Sequence, residues 1–426
     1  MSYKLSMILN TLKTLTGEGM NSNLLQPSTI DFLFESAHIQ RWNEFIRPPI
    51  GLSELDKQSH KAVIAFILAG LEKDAGAQID EQKLIEGILF EFFERTLLTD
   101  IKPPIFRRLL DSNARQLHEW SLSELSKRAP ALYDVFGENM KEYLLTSGQN
   151  SIEKKILRAA HYLSSRYELS IIAPQNANVY GFQETQKALE DEMEEHYSLI
   201  SVQKVSMGKK AHALIDLLGR LRFQKRWTST PRTPETSVMG HMFITATLSF
   251  LSLKSIPSAC SARVVNSFFG GLFHDLPEVL TRDIISPIKR NVEGLDELIK
   301  GIELTLIEEE LLPICPYPLR DRIKYIVVDE FADKIKVNGE IKHLENADTL
   351  HNAYNDNSYE PIDGSIINAC DKLSAYFEAC VSVKHGIKST HLTNAISQML
   401  DKNKKLAILG VDYGRAYEEY ARCLND

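Results

Sequence analysis

The residues that could do chemistry gather in the second half of the chain. His241 stands in the apolar run "HMFITATLSFLSL", His274 and Asp275 interrupt another in "GGLFHDLPEVLTRDIISPIKR", and Asp371 opens a third, "DKLSAYFEACVSV". Two imidazoles and two carboxylates form a mixed nitrogen and oxygen set suited to a divalent first-row metal such as Mn, Fe, Co or Zn. Adjacent helical residues point about 100° apart, so His274 and Asp275 can share one ion only at a helix end or a distortion. Pro277 supplies such a disturbance just beyond the pair. Taken singly, each residue has a plainer explanation: a core histidine, a polar pair ending a helix, an N-cap. Together with Glu278 and Asp283, they favour a metal centre over three unrelated accidents.

The elements that must position these groups are helical. "HMFITATLSFLSL", "GLDELIKGIELTLIEEELL" and "DKLSAYFEACVSV" repeat apolar residues at three- and four-residue spacing, and strand-like alternation is scarce, so the expected fold class is all-α. In "KIKVNGEIKHLE", Asn338-Gly339 between alternating residues signals either a small hairpin or a turn between helices. The chain has 426 residues, of which 43% are apolar and 25% charged, the composition of an ordinary soluble globular protein of two-domain size. Its net charge of -8 argues against a nucleic-acid backbone as main partner and leaves room for a small anionic ligand. Five cysteines, Cys260, Cys315, Cys370, Cys380 and Cys423, show no CxxC spacing and read as reduced thiols in a cytoplasm. No apolar stretch is long enough to span a bilayer, and "MSYKLSMILNTLKTL" reads as an amphipathic helix rather than a signal peptide.

The chain also repeats itself. "IDFLFESAHIQRW" from Ile30 lies over "IDLLGRLRFQKRW" from Ile215, and the segment around His60 lies over that around His241. Phe90 to Pro104 lies over Phe273 to Pro287, and "ILRAAHYLSSRYE" from Ile156 over "IINACDKLSAYFE" from Ile366. Four blocks in preserved order imply a duplication, with residues 1–200 as one copy, 201–426 as the other, and the junction near 195–208.

The pattern H…HD…D in a helical protein resembles the HD-domain metal-dependent phosphohydrolases. The finer string is similar to the YfbR-like bacterial 5'-deoxynucleotidases: Arg226-Trp227, the Arg-Thr pair at 232–233, "HDLPEVLTRD" at 274–283, "PIK" at 287–289 and "DKLSAY" at 371–376. That family often has Glu immediately before the first metal histidine, whereas Gly240 stands here. The resemblance covers residues 215–385 and reaches the first half only through the internal repeat. It implies tandem HD-type helical bundles and one divalent ion, whether Mn, Co, Fe, Zn or Mg, held by His241, His274, Asp275 and Asp371.

The implied reaction is hydrolysis of nucleoside, preferentially deoxynucleoside, 5'-monophosphates. Such phosphate monoesters are stable dianions that need charge neutralisation and an activated water. Glu278, three residues beyond Asp275, would move a proton, and Asp283 would accept a bond from a sugar hydroxyl. Arg226 and Lys289 would meet the phosphate, and Trp227 would offer a flat wall to sugar or base. Rival readings are a dNTP triphosphohydrolase or phosphodiesterase on the same centre, or a nucleotide-sensing scaffold without turnover. In the first half the repeat puts His60 in place of His241, Glu91 and Phe92 in place of His274 and Asp275, Arg95 in place of Glu278, and His161 in place of Asp371. That copy is therefore read as degenerate, in the first place a packing partner that completes the core or an oligomer interface; the alternatives are a retained anion or nucleotide pocket marked by Arg41, Trp42 and Asp100, and a residual metal set of His60, Glu91 and His161.

Overall fold

The computed structural model describes residues 23–101, 103–145, 150–282 and 294–424. The N-terminal stretch read as an amphipathic helix, the Ser286-Pro287 break, and two predicted site residues, Asp283 and Lys289, lie outside the described residues.

Helices dominate. The first half runs α1 (Pro27–His38), α2 (Glu54–Asp74), α3 (Glu81–Leu98), α4 (Pro103–Arg128), α5 (Pro130–Leu145), α6 (Ile152–Asn176) and α7 (Phe182–His196). Two shorter helices, α8 (Ile200–Ser206) and α9 (Lys210–Gly219), lead into α10 (Val238–Lys254), α11 (Ser261–Phe273) and the single turn α12 (Glu278–Thr281). Beyond them come α13 (Leu295–Leu306), α14 (Leu312–Ile314), α15 (Arg320–Val327), α16 (Ala347–Ala353), α17 (Gly364–Lys384), α18 (Thr390–Asn403) and α19 (Tyr413–Arg422).

The Asn338-Gly339 segment is a hairpin. Strands β1 (Lys334–Val337) and β2 (Glu340–His343) pair antiparallel with Val337 opposite Glu340. Both turn residues have positive φ, 53° and 85°, as a two-residue hairpin turn of the right twist requires. A second, unforeseen hairpin joins β3 (Ala407–Ile408) to β4 (Val411–Asp412) through Leu409-Gly410, again both at positive φ. Its strands are two residues long, too short to show alternation.

Helix α10 is apolar nearly all round, α2 is apolar from Ala62 to Leu71 after a polar start, and both are buried along almost their whole length. They pack against each other, and each also carries the partners of its own half: α6 against α2, α11 and α17 against α10. One hydrophobic core therefore runs through both halves. Phe66 on α2 meets Phe269 and Phe273 on α11 with centroids 4.8 and 4.9 Å apart, and Phe92 on α3 meets Phe243 on α10 at 5.0 Å. Truncating any of these rings to Ala would cost about 3–5 kcal/mol by lost transfer energy and the cavity left behind.

The N-termini of the two central helices are built alike. Ser53 caps α2 by accepting from the Asp56 amide, and Ser237 caps α10 by accepting from the Gly240 amide. Each cap serine also forms an isolated β-bridge to the residue before the Arg of an Arg-Trp pair: Ser53 to Gln40, Ser237 to Lys225. Trp42 and Trp227 share the same unusual φ of 56°.

Candidate metal centre and active site

The site is assembled from four segments. Helix α10 contributes His241 one turn beyond its Ser237 cap, the end of α11 contributes His274 and Asp275, and the middle of α17 contributes Asp371. Asp371 is eight residues into α17, so it is not the N-cap that a reading of the residue alone would allow. The Arg226-Trp227 loop closes the fourth side.

The ligand atoms converge. His241 Nε2 is 2.9 Å from Asp371 Oδ1 and 3.9 Å from Asp275 Oδ2, while His274 Nε2 is 3.7 and 3.2 Å from the same two oxygens. His241, His274 and Asp371 each offer an atom within 4.8 Å of the others, the geometry of a shared ion. Helix α11 ends at Phe273, so His274 and Asp275 sit on the turn that follows it rather than inside a helix, which is how neighbours reach one point.

The outward-facing nitrogens fix what the inward ones can do. His274 Nδ1 lies 2.8 Å from the Gly271 carbonyl, which can only accept, so Nδ1 carries the proton and Nε2 keeps its lone pair for the centre. His241 Nδ1 faces Ser374 Oγ at 3.1 Å and Glu378 Oε1 at 3.5 Å, the same arrangement with a hydroxyl and a carboxylate. His274 Nε2 and Asp275 Oδ2 are buried without a hydrogen-bond partner among the described residues. Buried polar atoms are rarely left so unless a ligand takes them.

The charges point the same way. Four carboxylates, Glu378, Asp275, Glu278 and Asp371, surround Arg226 closely enough to lift its pKa against the effect of burial. For His274, burial opposes protonation, but Asp275 and then Asp371 outweigh it and hold the pKa well above the ordinary value. The Asp275 and Asp371 carboxyls are displaced downward against burial, chiefly by His274 and His241 respectively. A pocket that would protonate its own imidazoles is short of positive charge, and a divalent cation bound by His241, His274, Asp275 and Asp371 would supply it. The residues present fit such an ion.

Around this centre, Arg226 Nη1 is 3.5 Å from Asp275 and Nε is 3.9 Å from Glu378. The Trp227 indole donates to Glu378 Oε2 at 2.8 Å, so the edge of that ring is already engaged. Glu278 opens α12 and is buried; its own carbonyl accepts from Gln224 Nε2 at 3.0 Å and from the Arg282 amide at 2.8 Å, bonds that fix the turn. Gly240 has the first half at its side: a Cβ there would lie 3.0 Å from Asp56 Oδ1 and 3.0 Å from Leu55 Cδ2. The Asp56 carboxylate also accepts from Ser237 Oγ, so an acid from α2 occupies the space beside His241 that a side chain at 240 would need.

The sequence reading missed Glu378. This fully buried carboxylate accepts from Trp227 and Thr236, faces His241 Nδ1 and lies near Arg226, and its backbone carbonyl accepts from Arg232. The signal was available: Asp371, Ser374 and Glu378 are spaced by three and four, one face of one helix.

A family profile described as "HD domain" matches residues 218–400. Residues 218–400 are an HD domain. The 4'-phosphooxetanocin A phosphatase of Priestia megaterium is 23% identical over 180 residues, which cover 41% of this chain and 76% of the relative. A solved structure, the cyanophage S-2L HD phosphohydrolase bound to dA and one catalytic Zn2+ ion, aligns at 16% identity and a TM-score of 0.30, covering 49% of this chain and 95% of that one. With its His-His-Asp cluster, the HD domain makes the chain a divalent-metal-dependent phosphohydrolase. Among the described residues, no helix is long and apolar enough to cross a membrane.

The first half answers the HD domain residue for residue except at one block. Thr99 and Arg282 both have positive φ, 57° and 64°, and their amides bond the carbonyls of Arg95 and Glu278, so Arg95 stands where Glu278 does. Trp42 donates to Glu168 at 2.8 Å as Trp227 does to Glu378. His60, however, does not take the place of His241. Counted from the two cap serines, that place belongs to Lys57, whose Nζ lies 3.2 Å from His161 Nε2. His60 is one turn further along, its Nε2 3.2 Å from the Ile215 carbonyl and its ring 4.7 Å from Tyr167, and burial, followed by Arg222, pushes its pKa down to about 3. The alignment of that block is off by three residues: the start of α2 is polar at nearly every position, Glu54 to Lys61, and all of it is buried, so the pattern does not mark which residue faces the site.

Proposed function

We propose that the HD domain hydrolyses nucleoside 5'-monophosphates, deoxy forms in particular, to nucleoside and phosphate. The observation that carries this reading is a single arginine, Arg226, at the edge of a carboxylate-rich metal centre, with Glu278 beside it. One bound divalent ion supplies charge neutralisation for a phosphoryl group and an acidified water. Arg226 has the planar fork that meets phosphate oxygens, and its distance of 3.5 Å from Asp275 supports a role in holding a phosphate at the centre. Glu278 delivers a proton to the departing sugar oxygen or takes one from the attacking water. Asp275 and Asp371 orient the two imidazoles, and Glu378 holds His241, Trp227 and the Arg232 loop in one arrangement.

Asp283 as acceptor of a sugar hydroxyl, Lys289 as a second phosphate contact and Trp227 as a wall for sugar or base complete the proposed substrate site. A triphosphate would call for more cations than Arg226 and the largely buried Arg232 provide among the described residues. The relative that matches the HD domain is itself named a phosphatase, which supports monoester hydrolysis. We assign residues 201–426 the catalytic role and 1–200 a non-catalytic one, with the free cysteines suiting a reducing cytoplasm. Phosphate release from 5'- and 3'-monophosphates, dNTPs and a phosphodiester, each with Mn, Co, Zn or Mg, tests this. Activity confined to dNTPs or diesters would overturn it.

A further inference from the structure

The first-half side-chain cluster that corresponds to the metal centre gathers four cations, Lys57, Arg95, Lys61 and Arg41, around His161. Lys57 Nζ lies against His161 Nε2 at 3.2 Å and Ser165 Oγ at 2.5 Å, in the position His241 takes against Asp371. The nearby carboxylates are all engaged. Glu54 and Glu168 both bind Arg41, at 2.8 and 3.0 Å, Glu168 also binds Arg222, and Glu91 binds Lys61 and Tyr143. Among the described residues, Lys57 and Arg95 have no carboxylate in ion-pair contact, and the Arg95 guanidinium makes no hydrogen bond; it lies over the Phe106 ring, 4.2 Å from the centroid, with Glu54, Glu94 and Glu91 acting on it from further away.

These cations face one imidazole. Burial, then Lys57, Arg95, Lys61 and Arg41 in that order, hold the His161 pKa well below its ordinary value, so its ring is neutral. Burial, then Arg41, hold the Lys57 pKa well below its ordinary value, and burial lowers that of Arg95, although Glu54 acts on both from beyond ion-pair distance. Keeping both groups charged in a largely buried site is costly, and a bound anion would lower that cost. The cluster is reachable, since His161, Arg95 and Arg41 are all partly exposed.

We propose that this cluster binds a phosphate group, either inorganic phosphate or the monoester of a nucleotide, without metal and without hydrolysis. Arg95 offers the planar fork and Lys57 the point charge, while His161 stands within reach of a bound oxygen. Neither hydrolysis nor metal binding is available to it. Arg95 occupies the place of the proton-transferring Glu278, and an ammonium occupies the place of the first metal histidine. This inference does not depend on the activity assigned to the HD domain.

The test uses the full chain stripped of metal by a chelator, titrated with inorganic phosphate and with dAMP by calorimetry. Saturable one-site binding is expected in the wild type and in His274→Ala, and at least 10-fold weaker binding in Arg95→Gln with an unchanged circular dichroism spectrum. Arg95→Lys, which keeps the charge and loses the fork, should fall between the two and serves if Arg95→Gln misfolds. Equal affinities for phosphate and dAMP would identify the phosphate alone as ligand. A dAMP preference of 10-fold or more would add the nucleoside, and both results uphold the site. Absence of saturable binding to the metal-free wild type, its survival in both Arg95 variants, or its loss in His274→Ala would overturn the proposal.

Discussion

On α17, Asp371 and Glu378 stand on one face, the first turned to two imidazoles and the second to a tryptophan indole. On α6, His161 and Glu168 repeat that spacing, with the same indole contact at the same 2.8 Å, but the outer position now faces an ammonium. The frame is alike and the contents are not. Both halves keep a cap serine bridged to the start of an Arg-Trp loop and a fully buried glutamate that ties the loop down. Such groups hold the backbone in place whatever the cavity contains. The inner groups set its sign: four carboxylates around Arg226 in the HD domain, Lys57 on an imidazole and Arg95 over a ring, neither in an ion pair, in the first half. Part of what Arg226 and Trp227 do is therefore structural, because Arg41 and Trp42 do the same where no metal ligands remain.

The largest effect expected on this contrast comes from the ligands. His274→Ala or Asp371→Ala should leave no stoichiometric metal by emission spectroscopy and lower turnover by about 10³-fold or more, since the groups act as a unit. Wild-type metal content in both variants would break the assignment. Glu278→Gln should retain the ion and lose roughly 10²- to 10⁴-fold in kcat, the range for a positioned proton-transfer group. Steady-state kinetics beside metal analysis separates this from a ligand loss, and unchanged kcat would remove Glu278 from the mechanism.

A third change sharpens the comparison from the frame's side. Glu168→Gln breaks buried ion pairs with Arg41 and Arg222 and should cost about 3–5 kcal/mol in denaturant unfolding. Burial tends to raise the Glu168 pKa, but Arg41 and Arg222 outweigh it and depress it in the folded state. The stability Glu168 contributes is thus fully present above the ordinary glutamate value of about 4.3 and is lost as pH falls toward the folded value. Unfolding at pH 7 and at pH 3 should show this component in the wild type and not in Glu168→Gln. Equal acid sensitivity in the two proteins would contradict it.

The smallest expected effect is none at all. Glu91→His with Phe92→Asp, placed in a His274→Ala background, should recover no phosphate release. Lys57 still fills the first histidine's place, Arg95 still replaces the proton donor, and partial restoration of a catalytic unit recovers little. The protein should also be less stable, because Phe92 packs on Phe243 and a carboxylate there would be buried in the core. Hydrolysis regained through the first half would refute the contrast.

The sequence alone pointed to the helical class and the metal-ligand candidates and offered the Asn338-Gly339 hairpin beside a turn between helices, because periodicity, turn chemistry and ligand type are local properties of the chain. Glu378 was legible at three- and four-residue spacing from Asp371, yet an acid within an apolar helix carries no mark of what it faces. What the structure decided are the relations between segments far apart in the chain. Lys57 rather than His60 stands opposite His161, Asp56 fills the space beside Gly240, and Phe92 packs across the two halves. A helix start that is polar at nearly every position and buried on every side, as in α2, has no exposed face to record its rotation, so only its packed neighbours determine which residue enters the site and with it the charge that the site carries.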